Sequence, residues 1–163
     1  MISLDEKTIR ASFVNASRKE TSDLTLPGDF AGLDWDRLDY LGWIDPKMAK
    51  RAYIAVPLPD GPVGIVLRQA DAAPRSRAQC SWCQDVHLPN DVVLYSARRV
   101  GAAGRNGNTV GTLICSKFEC STNVRKLPPS AYIGFDREAA REQRIAVLRQ
   151  RATDFATGIV LGE

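Results

Sequence analysis

The chain has 163 residues, 44% hydrophobic and 25% charged, with a formal net charge of +3. This is the composition of a globular domain large enough to bury a core, and it excludes disordered, collagen-like and low-complexity classes. Its longest uncharged stretch runs only from Asn106 to Ser116, too short for a transmembrane helix, and the N-terminus MISLDEKTIRASF has no apolar signal region, so a cytoplasmic protein is expected.

In chain order, Ser3-Leu4-Asp5-Glu6 has the pattern of a capping box opening a helix to about Ala16, with Ile9, Phe13 and Ala16 on one stripe. Residues 17–33 are polar and broken by Pro27, Gly28 and Gly32, which predicts a loop. Asp34 is the expected N-cap of a short helix, Trp35 to Leu41, that Gly42 ends, and Asp45-Pro46 marks a turn. Trp35, Tyr40 and Trp43 are expected to pack in the core. Asp34, Asp36 and Asp39 are read as helix capping and a polar face rather than a metal site.

Strand signals follow. Arg51–Leu58 and Pro62–Arg68 flank Pro59-Asp60-Gly61 as a hairpin. Asp91–Val100 and Asn108–Cys115 form a second pair, whose link holds Asn106-Gly107, a positive-φ turn signal, within a tip too long to be regular. That Gly-rich tip could cradle phosphate, but its place between two strands favours a flexible hairpin. Lys117 to Arg125 is a candidate short helix. Pro128-Pro129 breaks the chain, and Asp136 to about Val160 is the clearest helix, with Ile145, Leu148, Ala152, Phe155 and Ile159 on one face. Its arginines read as a solvated face. The expected fold is α+β: antiparallel hairpins, N-terminal helices and a long C-terminal helix. The expected division is a helical segment over 1–50 and a β-rich domain over 51–163, or one compact unit.

His87 is the only histidine. That excludes two-histidine metalloprotease motifs, and neither a nucleophile elbow nor a phosphate-binding Gly-Lys-Ser/Thr loop is present. No enzyme is expected. The cysteines are more informative. Cys80 and Cys83 form a C-x₂-C, and Cys115 and Cys120 a C-x₄-C. Two strands lie between the pairs and a helix follows the second, which is the order of a treble-clef zinc finger. Four thiolates satisfy one tetrahedral Zn²⁺ and leave no open position, so a structural ion is expected. Disulfides, which need export, and a redox C-x-x-C, which leaves the second pair unexplained, account for less. His87 is weighed as a substitute ligand and set aside. Trp82, between the first two ligands, either anchors a partner or packs over the metal shell, and packing is favoured.

Residues 71–134 carry eight Lys/Arg against four Asp/Glu, so the basic excess surrounds the finger. Arg98, Arg99, Arg105, Lys117, Arg125 and Lys126 are candidate partner contacts, to an acidic protein surface or to RNA phosphates. A regular strand would place Arg98 and Arg99 on opposite faces.

The stretches SFVNAS (12–17), WDRLDYLGWIDPK (35–47), RAYIAVPL (51–58), GIVLR (64–68), CSWC (80–83) and VVLYSARRVGAAGRNGNTVGTLICSKFECSTNVR (92–125) together resemble the elongation factor G-binding proteins of the fusidic-acid-resistance (FusB) type, in their compact actinobacterial branch. The resemblance implies a C-terminal treble-clef finger with Cys80, Cys83, Cys115 and Cys120 as zinc ligands. It implies binding of elongation factor G through that finger and promotion of the factor's release from ribosomes stalled by fusidic acid, without enzymatic activity and without a small-molecule substrate or a membrane. The resistance proteins carry a longer N-terminal helical bundle than residues 1–50 offer. The alternative expectation is a zinc module that binds the ribosome or RNA.

Overall fold

The structure is a computed structural model that describes residues 1–72, 76–87 and 89–161. Five strands form one antiparallel sheet in the order β1-β2-β3-β4-β5: β1 (Leu41–Ile44), β2 (Arg51–Leu58), β3 (Gly61–Gln69), β4 (Val92–Arg98) and β5 (Thr109–Cys115). Both expected hairpins are present. They merge into one sheet because Leu67–Gln69 pairs with Tyr95–Ala97. Where β3 and β4 diverge beyond that short ladder, the Asn15 side chain takes over. Its Oδ1 accepts from the Val66 amide at 2.8 Å, and its Nδ2 donates to the carbonyls of Val66 and Arg98, each at 3.1 Å.

Both faces of the sheet are covered, which explains why RAYIAVPL is nearly continuous in apolar residues. On one face Ala52, Ile54, Val56, Ile65, Leu67 and Tyr95 pack in a core with α4 (Cys120–Arg125) and α5 (Arg137–Leu161). On the other, Tyr53, Ala55, Leu41 and Trp43 pack with Leu4, Ile9 and Leu24 around α1 (Glu6–Ser12) and α2 (Arg18–Asp23). The expected stripe of α5 is largely the buried one: Ile145, Leu148, Ala152 and Ile159 are inside, joined by Ala156. Phe155 is half-buried, its ring 5.6 Å from that of Trp82.

The N-terminal third differs from expectation in three places. Asp5, not Ser3, caps α1, its carboxylate accepting from the Thr8 amide at 2.6 Å, and the helix stops at Ser12 because Phe13 and Val14 turn extended against Gly64. The segment read as a loop contains α2, opened by a capping box: Ser17 Oγ accepts from the Glu20 amide, and Glu20 accepts from the Ser17 amide. The helix expected over Trp35–Leu41 is only a 3-10 turn, Trp35–Arg37, without a side-chain cap from Asp34. Leu41–Ile44 goes on as β1, paired with Ala52–Ala55. Between β4 and β5 the chain forms a one-turn helix, α3 (Gly101–Arg105), rather than an open flexible tip. A Cβ at Gly104 would lie 1.7 Å from the Arg99 carbonyl oxygen, so only glycine fits that close approach. The expected positive-φ turn is present at Gly107, φ 87°.

Candidate metal centre

Two loops bring the cysteines together. In the first, the Cys83 amide points at Cys80 Sγ (3.4 Å) and the Gln84 amide donates to the Cys80 carbonyl (3.0 Å), with Gln84 at φ 52°. The Ser81 amide donates to the Leu113 carbonyl at 2.8 Å, which fixes this loop beside β5. The second loop begins where β5 ends at Cys115. The Phe118 amide donates to the Cys115 carbonyl at 3.0 Å, Phe118 adopts φ 61°, and the chain enters α4 at Cys120. This is the order expected of a treble clef: a two-cysteine loop, a hairpin, then a cysteine pair leading into a helix.

All four sulfurs lie within 4.8 Å of one another and all four residues are buried. Cys80 and Cys120 are 3.6 Å apart and Cys83 and Cys115 3.5 Å. The cysteines are free, and these separations are far beyond a disulfide bond of ~2.05 Å. A tetrahedron of sulfurs around Zn²⁺ at ~2.3 Å has edges of about 3.8 Å, so the spacing fits such an ion. The four sulfurs also compete for charge. Hydrogen bonds from Cys115 and Cys120 hold the Cys80 thiol below its ordinary range, while the contacts with Cys115, Cys80 and Cys83 push Cys120 up. Without a cation the four cannot all be thiolates; with one they can.

The shell around the sulfurs is equally closed. Asn123, one turn into α4 from Cys120, directs its Nδ2 at Cys115 Sγ (3.6 Å) and Cys83 Sγ (3.9 Å). Outer donors of this kind orient and tune ligands. Burial, and next the neighbouring Cys120 sulfur, push the Tyr40 phenol far above its usual pKa, so Tyr40 is a neutral cover. Trp82 is 3% exposed. Its indole donates to Thr112 Oγ1 at 3.0 Å and its ring lies 4.9 Å from Tyr40. Of its two readings, packing over the metal shell is the one the structure shows. His87 stays outside the sulfur cluster, its Nδ1 2.7 Å from Asp85 Oδ1.

The basic candidates do not form one patch. Arg98, Arg105, Lys117 and Lys126 are exposed. Arg98 lines a groove with Val66 and Ser96 on the α1 side of the sheet, whereas Arg99 donates to the Gly158 carbonyl of α5 at 2.9 Å. Arg125 is held inside the protein, paired with Asp39 at 2.5 Å. Asp39 is the residue the sequence reading underrated. Fully buried, it also accepts from Arg149 at 2.8 Å, while its amide donates to Ser121 Oγ at 3.0 Å. Burial raises its pKa, but the bonds from Arg125, Arg149 and Ser121 outweigh that and hold it below the ordinary carboxylate value. The arginines of α5 are therefore not simply a solvated face. Arg144 donates to the carbonyls of Asn123 and Lys126, and Arg151 to that of Trp82, so three of them clamp the helix onto the finger. Asn123 was legible only as the position three after Cys120, on the same side of a helix. Nothing local in the sequence marks Asp39.

The family match agrees with this geometry. The family model for the FBP C-terminal treble-clef zinc-finger matches residues 8–159. No curated protein matches the chain. Among solved structures the chain is similar to the fusidic acid resistance protein FusC, at 22% sequence identity and a TM-score of 0.49, over 65% of this chain and 47% of that one. The alignment thus spans about half of the FusC chain. With four buried sulfurs at the join of hairpin and helix, and a family match over nearly its whole length, the chain belongs to the FBP C-terminal treble-clef zinc-finger family.

Proposed function

We propose that the protein binds elongation factor G and favours its release from the ribosome, acting by contact rather than by catalysis. The observation that carries this reading is the closed four-cysteine centre in a chain of this family. Four protein sulfurs fill a tetrahedral shell, so a metal held there supplies folding energy and no position for substrate. The ion we assign is a single structural Zn²⁺, and the compartment is the cytoplasm. The sequence stretches that resemble those of the elongation factor G-binding proteins support that factor as the partner. Mechanically, a protein that prefers one conformation of the factor shifts its population, and with it the rate of leaving the ribosome. Calorimetric titration of the zinc-loaded protein into purified elongation factor G, without ribosomes, tests this. Saturable one-to-one binding is expected. No heat and no co-migration on a sizing column would overturn it and favour the ribosome itself.

A further inference from the structure

Strand alternation builds a second surface, on the face of the sheet away from the metal centre. Beyond Asn15 the cover of α1 and α2 ends, and the sheet opens into a groove of about 590 Å³. Arg51 stands directly opposite Arg68, and Arg68 opposite Ser96. Arg98, two residues on from Ser96, points to the same side. Lys47 and Lys50, from the turn before β2, complete the lining.

These five cations share the groove with one carboxylate, that of Glu20. Glu20 accepts from the Ser17 amide at 2.8 Å, a bond that together with the charges of Arg98 and Arg51 holds its carboxyl below the ordinary value, and it offsets part of those charges. Lys50 is paired with the exposed Asp71. Among the described residues no carboxylate lies within ion-pair distance of Arg51, Arg68 or Arg98. Like charges directly opposite one another disfavour an antiparallel pair, and one carboxylate among five cations leaves the groove with a net positive charge that an anion would relieve.

The composition of the groove narrows the occupant. Among the described residues it is lined by no aromatic ring, and Met48 is its one exposed large apolar side chain. Protein interfaces are centred on aromatic and apolar anchors, and single strands are held by stacking on aromatic rings. A double helix needs neither, because its phosphates alone supply the affinity. We infer that the groove of Arg51, Arg68 and Arg98 docks the phosphate backbone of a double-stranded nucleic acid. The metal side of the sheet stays free for a protein partner.

Fluorescence anisotropy of labelled duplexes of about 16 base pairs, one RNA and one DNA of the same sequence, tests this on the zinc-loaded full chain. Affinity should fall roughly 40-fold between 50 and 200 mM salt, as about three neutralised phosphates require. Arg68→Glu with Arg98→Glu should weaken binding at least tenfold and flatten the salt slope, with a melting temperature no lower than wild type, since a glutamate at position 68 would face Arg51. Lys117→Glu with Lys126→Glu, beside the metal loops, should stay within twofold of wild type. If the double charge reversal does not fold, Arg68→Gln and Arg98→Gln singly should each lose severalfold affinity. Tighter binding of RNA identifies RNA as the source of the phosphates; equal binding assigns a general backbone site. Absence of binding to both duplexes at 50 mM salt, or groove variants that bind like wild type, would overturn the inference.

Discussion

Gly42 illustrates how much of this site is written in single residues, and how easily they are misread. By its place after Leu41 it resembles a helix stop. In the structure it lies within β1, where a Cβ would come within 2.5–2.7 Å of the Phe118 side chain. Phe118 belongs to the loop between Cys115 and Cys120, so β1 and the second ligand loop are fitted to each other through the missing side chain. Gly42→Ala should therefore destabilise the zinc-loaded protein by about 1–3 kcal/mol, the usual penalty of overpacking. Urea unfolding followed by tryptophan fluorescence measures it, and an unchanged midpoint would mean that Phe118 moves aside freely. The cysteines, by contrast, were fully legible, because ligand chemistry demands a spacing that needs no knowledge of the fold. Asp39 was not legible. Its partners Ser121, Arg125 and Arg149 lie at least 82 positions away, and no local pattern encodes a contact of that range.

Elements were legible where apolar periodicity was strong. β2 is a continuous apolar run buried on both faces, β3, β4, β5 and α5 carry a clear apolar pattern, and all were expected near their observed limits. The elements missed lack that signal. α2 (RKETSD) buries no residue and is held by its capping box, so only the Ser17–Glu20 spacing marked it. β1 has four residues, too few for alternation to stand out. α3 exists because two glycines and small residues let a turn fold back on Arg99, a tertiary reason rather than a propensity. At this scale the proposed metal would be the main structural agent. The loop at Cys80–Gln84 and the loop at Cys115–Cys120 are joined to each other by few backbone bonds, and the sulfurs complete the link. Chelation, or Cys115→Ser, should release α4 and the β4–β5 hairpin, since binding energy at such a site is folding energy. Hydrogen exchange should show amides of Val92–Arg98, Thr109–Cys115 and Cys120–Arg125 losing protection while Arg51–Val56 keeps more. Uniform protection after chelation would contradict this.

The molecule as a whole presents two unlike sides. On one, α4, α5 and the metal loops form a closed, well-clamped surface. On the other, α1 and α2 cover half of the sheet and leave a basic groove beside them. The net charge of +3 understates this division, because Arg125 and Arg149 are paired with Asp39 on the metal side, while Arg51, Arg68 and Arg98 line the groove on the other. The proposed contacts would use both sides, the metal side for a protein partner and the groove for a phosphate backbone. Everything proposed for the family's finger depends on the four sulfurs holding one ion. The most direct test is the metal content of the native protein, measured together with thiol reactivity. One zinc per chain, with all four thiols unreactive until a chelator is added, is the predicted result. A metal-free, folded protein whose four cysteines react at once would contradict it and return the cluster to redox chemistry.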